Sequence, residues 1–211
     1  MSIMVYSIKN IHKEGTLSYL SDTIEANLAQ WQDWVLRRHK GIPNNKRLFV
    51  LACMDERLPV EQVLGLQPGD AHVFRNAGGV VTDDVIRSLA LTLHAFGTRE
   101  IIIVNHTDCG MLSAPPEAVT KMIEEKTGVD LSRVPLDPAL PELRLTKEAV
   151  HRWWKMQTDI DQTALEQARL LREHPLVPKD VRISAYVYEV ETGRLRRPGE
   201  ILADKLRLKF Y

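Results

Sequence analysis

Cysteine is nearly missing from this 211-residue sequence, which holds only two. Two thiols cannot build the disulfide framework of a small secreted domain. An excess of charge is missing too: 28 Lys and Arg offset 28 Asp and Glu. No basic field therefore exists to gather a nucleic-acid backbone, and no nucleic-acid partner is expected. No apolar run approaches the roughly 18 residues that a membrane span needs. The opening Met1-Ser-Ile-Met-Val-Tyr6 lacks the basic stretch and long apolar run of a secretory signal. A cytoplasmic protein with no membrane partner is the expectation. Neither an internal repeat nor a low-complexity tract is present. In such a chain a pair of cysteines points to metal or redox chemistry, and their positions decide between the two.

What is present is an ordinary globular composition, 44% hydrophobic and 27% charged. The length suits one core, so a single domain over 1–211 is expected. Within it, an arm and helix occupy 1–41, an α/β core 45–198 and a tail 199–211. Leu17, Leu20, Ile24, Leu28, Trp31 and Val35 recur at helical spacing and form one apolar stripe. A continuous apolar run over 47–53 reads as a strand buried on both faces. A short helix over 60–66 and a second strand over 71–75 follow. Thr82, Asp83 and Asp84 open a helix whose buried face carries Val85, Ile86, Leu89, Leu93 and Phe96. Residues 100–105 make the clearest strand. This alternation of strands and helices predicts an α/β fold with a mostly parallel sheet flanked by helices. The last third adds helices near 116–126, 146–156 and 162–173, a Pro-rich connection over 134–141, and a strand over 181–190.

Both cysteines stand where strands end. Cys53 closes the first and opens Cys53-Met-Asp55-Glu-Arg57; His106 follows the third and opens His106-Thr-Asp-Cys109. In open parallel sheets the carboxyl ends of the strands form the crevice that binds ligands. Two thiolates and one neutral imidazole are zinc ligands, and three protein ligands leave a fourth position open, as catalytic sites do. The competing reading makes Cys53 and Cys109 inert buried thiols. A carboxylate at Asp55, held ionised by a bidentate pair with Arg57, could orient a metal-bound water; alternatively Asp55 itself fills the fourth position. Asp108 falls between two ligands and suits a supporting hydrogen bond or a cap. His12, His39, His72, His94 and His151 have no partner at ligand spacing, and His174 suits a helix end.

These elements, Cys53-x-Asp55-x-Arg57 and His106-x-x-Cys109 with Phe74-Arg-Asn-Ala-Gly-Gly79, Thr82-Asp-Asp84 and Gly110-Met111, resemble the β-carbonic anhydrases. Segments 41–45, 53–57, 79–84, 136–141, 174–182 and 187–192 look most like the carbon disulfide hydrolases of that family. The resemblance implies one Zn2+ per chain on Cys53, His106 and Cys109, with Asp55 and Arg57 as catalytic residues. It implies attack by zinc hydroxide on carbon disulfide, giving carbonyl sulfide and then carbon dioxide, with hydrogen sulfide released at each step. Hydration of carbon dioxide to bicarbonate, or hydrolysis of carbonyl sulfide, are the alternatives. A small apolar substrate would enter by a narrow apolar passage, with Phe96, Val80, Val81 and Leu112 as candidate walls. The resemblance further implies a homo-oligomer built on a dimer, up to an octamer or higher. The amino-terminal arm would be exchanged between subunits, and residues 202–211 would cover a neighbour's site or govern assembly.

Overall fold

Six consecutive buried residues, Leu48–Cys53, form strand β1, as a central strand covered on both faces requires. The computed structural model describes residues 21–200. The expectations for the arm before residue 21, including Leu17 and Leu20, and for the tail after residue 200 lie outside the described residues. The chain divides into two units between His39 and Lys40.

The first unit holds helices α1, Ser21–Gln30, and α2, Trp34–Arg37. A single helix was expected from the apolar stripe, but the chain breaks at residues 31–33. There the Trp31 amide reaches back only three residues, to the Leu28 carbonyl. Ile24, Leu28, Trp31 and Val35 are all exposed. Short helices are marginal without a packed face, so among the described residues of this unit nothing holds the stripe on one straight helix.

In the second unit, α3 (Val60–Val63) links β1 to β2 (Ala71–Asn76), and α4 (Asp83–His94) links β2 to β3 (Glu100–His106). Helix α5 (Pro116–Thr127), a hairpin of β4 (Pro135–Asp137) and β5 (Leu140–Arg144), then α6 (Lys147–Trp153) and α7 (Ile160–Glu173) follow. Strands β6 (Arg182–Glu189) and β7 (Arg194–Arg196) close the chain's described part. The main sheet runs β2-β1-β3-β6-β7; its first four strands are parallel and β7 returns antiparallel beside β6. This is the expected α/β fold with a mostly parallel sheet. The hairpin replaces the expected Pro-rich connection; its β5 residues are all exposed, so they lack the apolar alternation by which a strand is recognised.

Alternation along β1 divides the core. Phe49 and Leu51 face the layer of α4 and α7 with Val85, Leu89, Ala168 and Leu171. Leu48, Val50 and Ala52 face the opposite layer with Leu58, Val60 and Leu66. The chain leaves β1 for β2 on one side, then crosses to β3 on the other. The crevice at the carboxyl ends of β1 and β3 is thus the topological switch point, where α/β sheets bind ligands. Among the described residues no helix is long and apolar enough to cross a membrane.

Candidate metal centre

Cys53 is the last residue of β1 and His106 the last of β3. Because these strands are paired in parallel, with Ala52 opposite Val104, both side chains reach the same edge of the sheet. Beyond His106 the chain turns through Asp108 at φ 52°, a left-handed conformation that Asp tolerates better than most residues. That turn returns Cys109 to the crevice. One ligand atom each from Cys53, His106 and Cys109 lies within 4.8 Å of the others. All three residues are buried. Among the described residues only these three gather metal-ligating atoms so closely.

The donor set fits zinc. Two zinc–sulfur bonds of about 2.3 Å at a tetrahedral angle span about 3.8 Å, and the two Sγ atoms are 3.9 Å apart. His106 Nδ1 lies 2.9 Å from the Thr107 carbonyl. A carbonyl accepts only from an N–H, so Nδ1 carries the proton and Nε2 presents a lone pair. Nε2 is buried and has no hydrogen-bond partner, a costly arrangement unless a ligand answers it.

The three groups perturb one another. The Cys53 thiol is pulled well below its ordinary value, first by the hydrogen bond from Cys109, which outweighs burial, and then by His106. Cys109 is pushed well up by the Cys53 sulfur and by burial. The two sulfurs in effect share one proton. Burial opposes charge on His106, but the Cys53 sulfur, the Thr107 carbonyl and the Asp55 carboxylate together outweigh it and raise its pKa. Backbone amides support the sulfurs: those of Asp55 and Gly78 face Cys53 and that of Met111 faces Cys109. A buried site rich in thiolate character and backed by N–H groups suits a divalent cation.

Over this cradle sits a carboxylate clamp. Asp55 Oδ1 accepts from Arg57 Nε and from the Arg57 amide, both at 2.9 Å, and Oδ2 accepts from Arg57 Nη2 at 2.8 Å. The Arg57 hydrogen bonds hold the Asp55 carboxyl well below the usual carboxylate range. Asp55 Oδ2 is 3.7 Å from His106 Nε2. Arg57 is itself fixed by Asp108, through Nη1 to Oδ2 at 2.7 Å and Nη2 to the backbone carbonyl at 3.0 Å. Arg75, which carries no metal-binding signature in the sequence, donates from Nε to the Cys53 carbonyl at 2.9 Å and from Nη2 to the Asp55 carbonyl. Its position inside Phe74–Gly79 was the only available signal.

Gly79 runs against the sheet at φ 60°, and a Cβ there would fall 2.7 Å from the Cys53 amide nitrogen. No other residue fits so close an approach. Asn105 ties the same loop down, donating to the Gly78 carbonyl at 2.7 Å.

A cavity of about 230 Å³ is lined by Cys53, Asp55, Gly78, Cys109 and Met111. A neighbouring cavity of about 390 Å³ shares Ala77, Gly110 and Met111 with it and adds Val80, Trp153 and Met156. Of the expected passage residues, Val80 lines this second cavity. Val81 is buried in the core beside Val85 and Leu89, and Leu112 is half-buried against the core of the other face. Phe96 lies against the His72 ring, 6.3 Å between centroids, at the amino end of the sheet; the structure does not bring it to the crevice within this chain. His94, His151 and His174 bond to backbone and carboxylate neighbours away from the cradle, and His39 bonds to Arg38 within the first unit; His12 lies outside the described residues.

A family model described as carbonic anhydrase matches residues 48–195. This chain belongs to the carbonic anhydrase family, in its β class, as the sequence motifs implied. It is 53% identical to a carbon disulfide hydrolase of Acidianus sp. (strain A1-3), over 88% of this chain and 94% of that protein. It is 37% identical to β-carbonic anhydrase 1 of Mycobacterium tuberculosis (strain ATCC 25618 / H37Rv), over 73% and 83%. A solved apo form of carbon disulfide hydrolase superposes with a TM-score of 0.75 at 52% identity, covering 89% of this chain and 95% of that one.

Proposed function

We propose that this chain is a zinc-dependent hydrolase of carbon disulfide, working in the cytoplasm as a homo-oligomer built on a dimer. The observation that carries the reading is a three-donor cradle with a carboxylate at its open side and an apolar cavity sharing its wall. The 53% identity to a carbon disulfide hydrolase supports the choice of substrate. The exposed apolar stripe of the first unit, Ile24, Leu28, Trp31 and Val35, supports the oligomer. Carbon disulfide and water give carbonyl sulfide and hydrogen sulfide; carbonyl sulfide and a second water give carbon dioxide and hydrogen sulfide.

Cys53, His106 and Cys109 would hold one zinc ion per chain. Bound there, zinc supplies the Lewis acidity that makes water nucleophilic near neutral pH. Asp55 supplies direction. Its carboxylate, kept ionised by Arg57, can only accept hydrogen bonds, so an incoming water is oriented with its lone pair toward the substrate carbon. A carboxyl group so far below its usual range is a poor store for a proton; Asp55 therefore orients, and the proton passes on to solvent. Arg57, locked by Asp108, keeps the carboxylate turned to His106 rather than to bulk water.

Carbon disulfide is linear and uncharged, and the Met111, Val80, Trp153 and Met156 surface can receive it without a polar partner. Bicarbonate crossing that mainly apolar surface would lose hydration that only Asn76, Thr82, Ser113 and Lys155 on its wall could replace, which is costly for an anion. Sulfide release from carbon disulfide, measured beside carbon dioxide hydration on one zinc-loaded preparation, tests the reading. Rapid sulfide release with negligible hydration is expected; rapid, saturable hydration with no sulfide would make the chain a carbonic anhydrase instead.

A further inference from the structure

Gln157 lies 104 residues beyond Cys53 in sequence, yet it ends up at the back of the cradle. The residue is 7% exposed, and it makes two bonds of different kinds. The Nε2 group donates to the Gly78 carbonyl at 2.9 Å, and the backbone amide donates to the Met111 carbonyl at 2.9 Å. Gly78 and Met111 line one cavity with Cys53 and Cys109, and their backbone groups favour the charged forms of the Cys53 and Cys109 sulfurs respectively. One residue thus fastens both backbone segments that present hydrogen bonds to the two thiolates.

The fit is close and specific. Gly78 sits at φ 84°, and a Cβ on it would come within 2.6 Å of Gln157 Nε2, so glycine at 78 and glutamine at 157 occupy one shared space. The amide cannot be turned over, because Oε1 would then face the Gly78 carbonyl oxygen. Held this way, Oε1 is buried with no partner. A buried, unanswered acceptor is destabilising, and an apolar side chain of equal length would avoid it. Stability alone therefore does not account for glutamine here; what its N–H does at Gly78 remains as the reason.

We infer that Gln157 is a positioning residue for the metal centre, fixing the Gly78 segment so that its amide stays directed at the Cys53 sulfur. The inference rests on the metal-binding reading of the cradle. Outer contacts of this kind commonly change metal affinity by 10–100-fold when removed. A thiolate relieved of a hydrogen bond donates charge more readily to its metal.

The test compares wild type, Gln157→Met and Gln167→Met, each loaded with Co2+ and separately with Zn2+. Gln167 holds the same loop, accepting from the Val81 amide at 2.8 Å, and so reports general loosening. The thiolate-to-cobalt charge-transfer band is expected to move to lower energy in Gln157→Met, and zinc affinity, measured against a chelator, to fall by about tenfold. Gln167→Met should match wild type in both. A Gln157→Met spectrum and affinity equal to wild type, or the same changes in Gln167→Met, would overturn the inference. Gln157→Glu, similar in size and without a donor when ionised, replaces Gln157→Met if that variant does not fold, with the same expected shift and the same contrary outcome. A wild-type chain that binds neither metal would instead defeat the metal-binding reading itself.

Discussion

Two histidines, at opposite ends of one sheet, show what turns a buried imidazole into a candidate ligand. His106 closes β3 at the carboxyl edge; His72 stands second in β2, opposite Phe49, toward the amino edge. Each has a buried Nε2 with no hydrogen-bond partner. Their surroundings then diverge. His106 has a thiol pair, a carboxylate 3.7 Å away and a carbonyl fixing its tautomer, and Cys53 raises its pKa against burial. His72 has the Phe96 ring as its neighbour, and burial alone lowers its pKa. An orphaned nitrogen is therefore not a site by itself. Convergent donors make it one, and they converge where the sheet's connections reverse.

The largest effect comes from breaking the convergence. His106→Ala, Cys53→Ala and Cys109→Ala are each expected to reduce bound zinc from one equivalent per chain to background and to abolish turnover, whereas His72→Phe retains both. Metal analysis after exhaustive dialysis, beside a rate assay, checks this. Zinc retained in His106→Ala, or lost in His72→Phe, would reverse the assignment of the two imidazoles.

A smaller effect separates holding the metal from using it. Asp55→Asn keeps the hydrogen bond to the Arg57 amide but loses the charge and one acceptor oxygen. Zinc content should remain at one per chain while kcat/KM falls by about 10²-fold, the scale of a lost orienting contact on a reacting group. Arg57→Lys keeps a charge but loses the fork that serves Asp55 and Asp108 together, with an expected loss of about tenfold. Full activity in Asp55→Asn would remove the carboxylate from the mechanism.

The same contrast explains what could be read from the sequence. Strands β1 and β3 were legible because strands buried on both faces become continuous apolar runs. The cradle was legible because its ligands close those runs. Phe96 was not placed correctly by spacing alone: α4 begins beside the crevice at Asp83 and returns along the sheet, so the residues after its end, Ala95 and Phe96, arrive at the amino edge. Asn105 and Gln157 had no sequence signal, and Arg75 only its place inside Phe74–Gly79, since each acts on a backbone carbonyl, and carbonyls carry no residue identity. The bond from Gln157 to Gly78 joins residues 79 positions apart, a closure set by packing rather than by any motif. The break between α1 and α2 was hidden for a related reason, because the stripe's periodicity continues across residues that leave the helix.

The smallest expected effect sharpens the comparison from the other end of the sheet. His72 is held below its ordinary pKa by burial, with no anion there to reverse the shift. Above about pH 6.5, the reference value for an unfolded histidine, both folded and unfolded chains leave it neutral, and it contributes no pH dependence. As pH falls below that value the unfolded chain takes up a proton that the folded chain still refuses. Unfolding is then favoured, and stability is lost until pH passes the lowered folded value. For one proton the slope cannot exceed about 1.4 kcal/mol per pH unit. His72→Phe removes the group and should therefore flatten the acid side of the stability profile relative to wild type, whatever constant offset it introduces at pH 8. Urea unfolding of the zinc-loaded forms between pH 8 and 5 measures the gap. A gap that stays constant through that window would show that His72 titrates alike in both states, and that its buried Nε2 is answered by a partner after all.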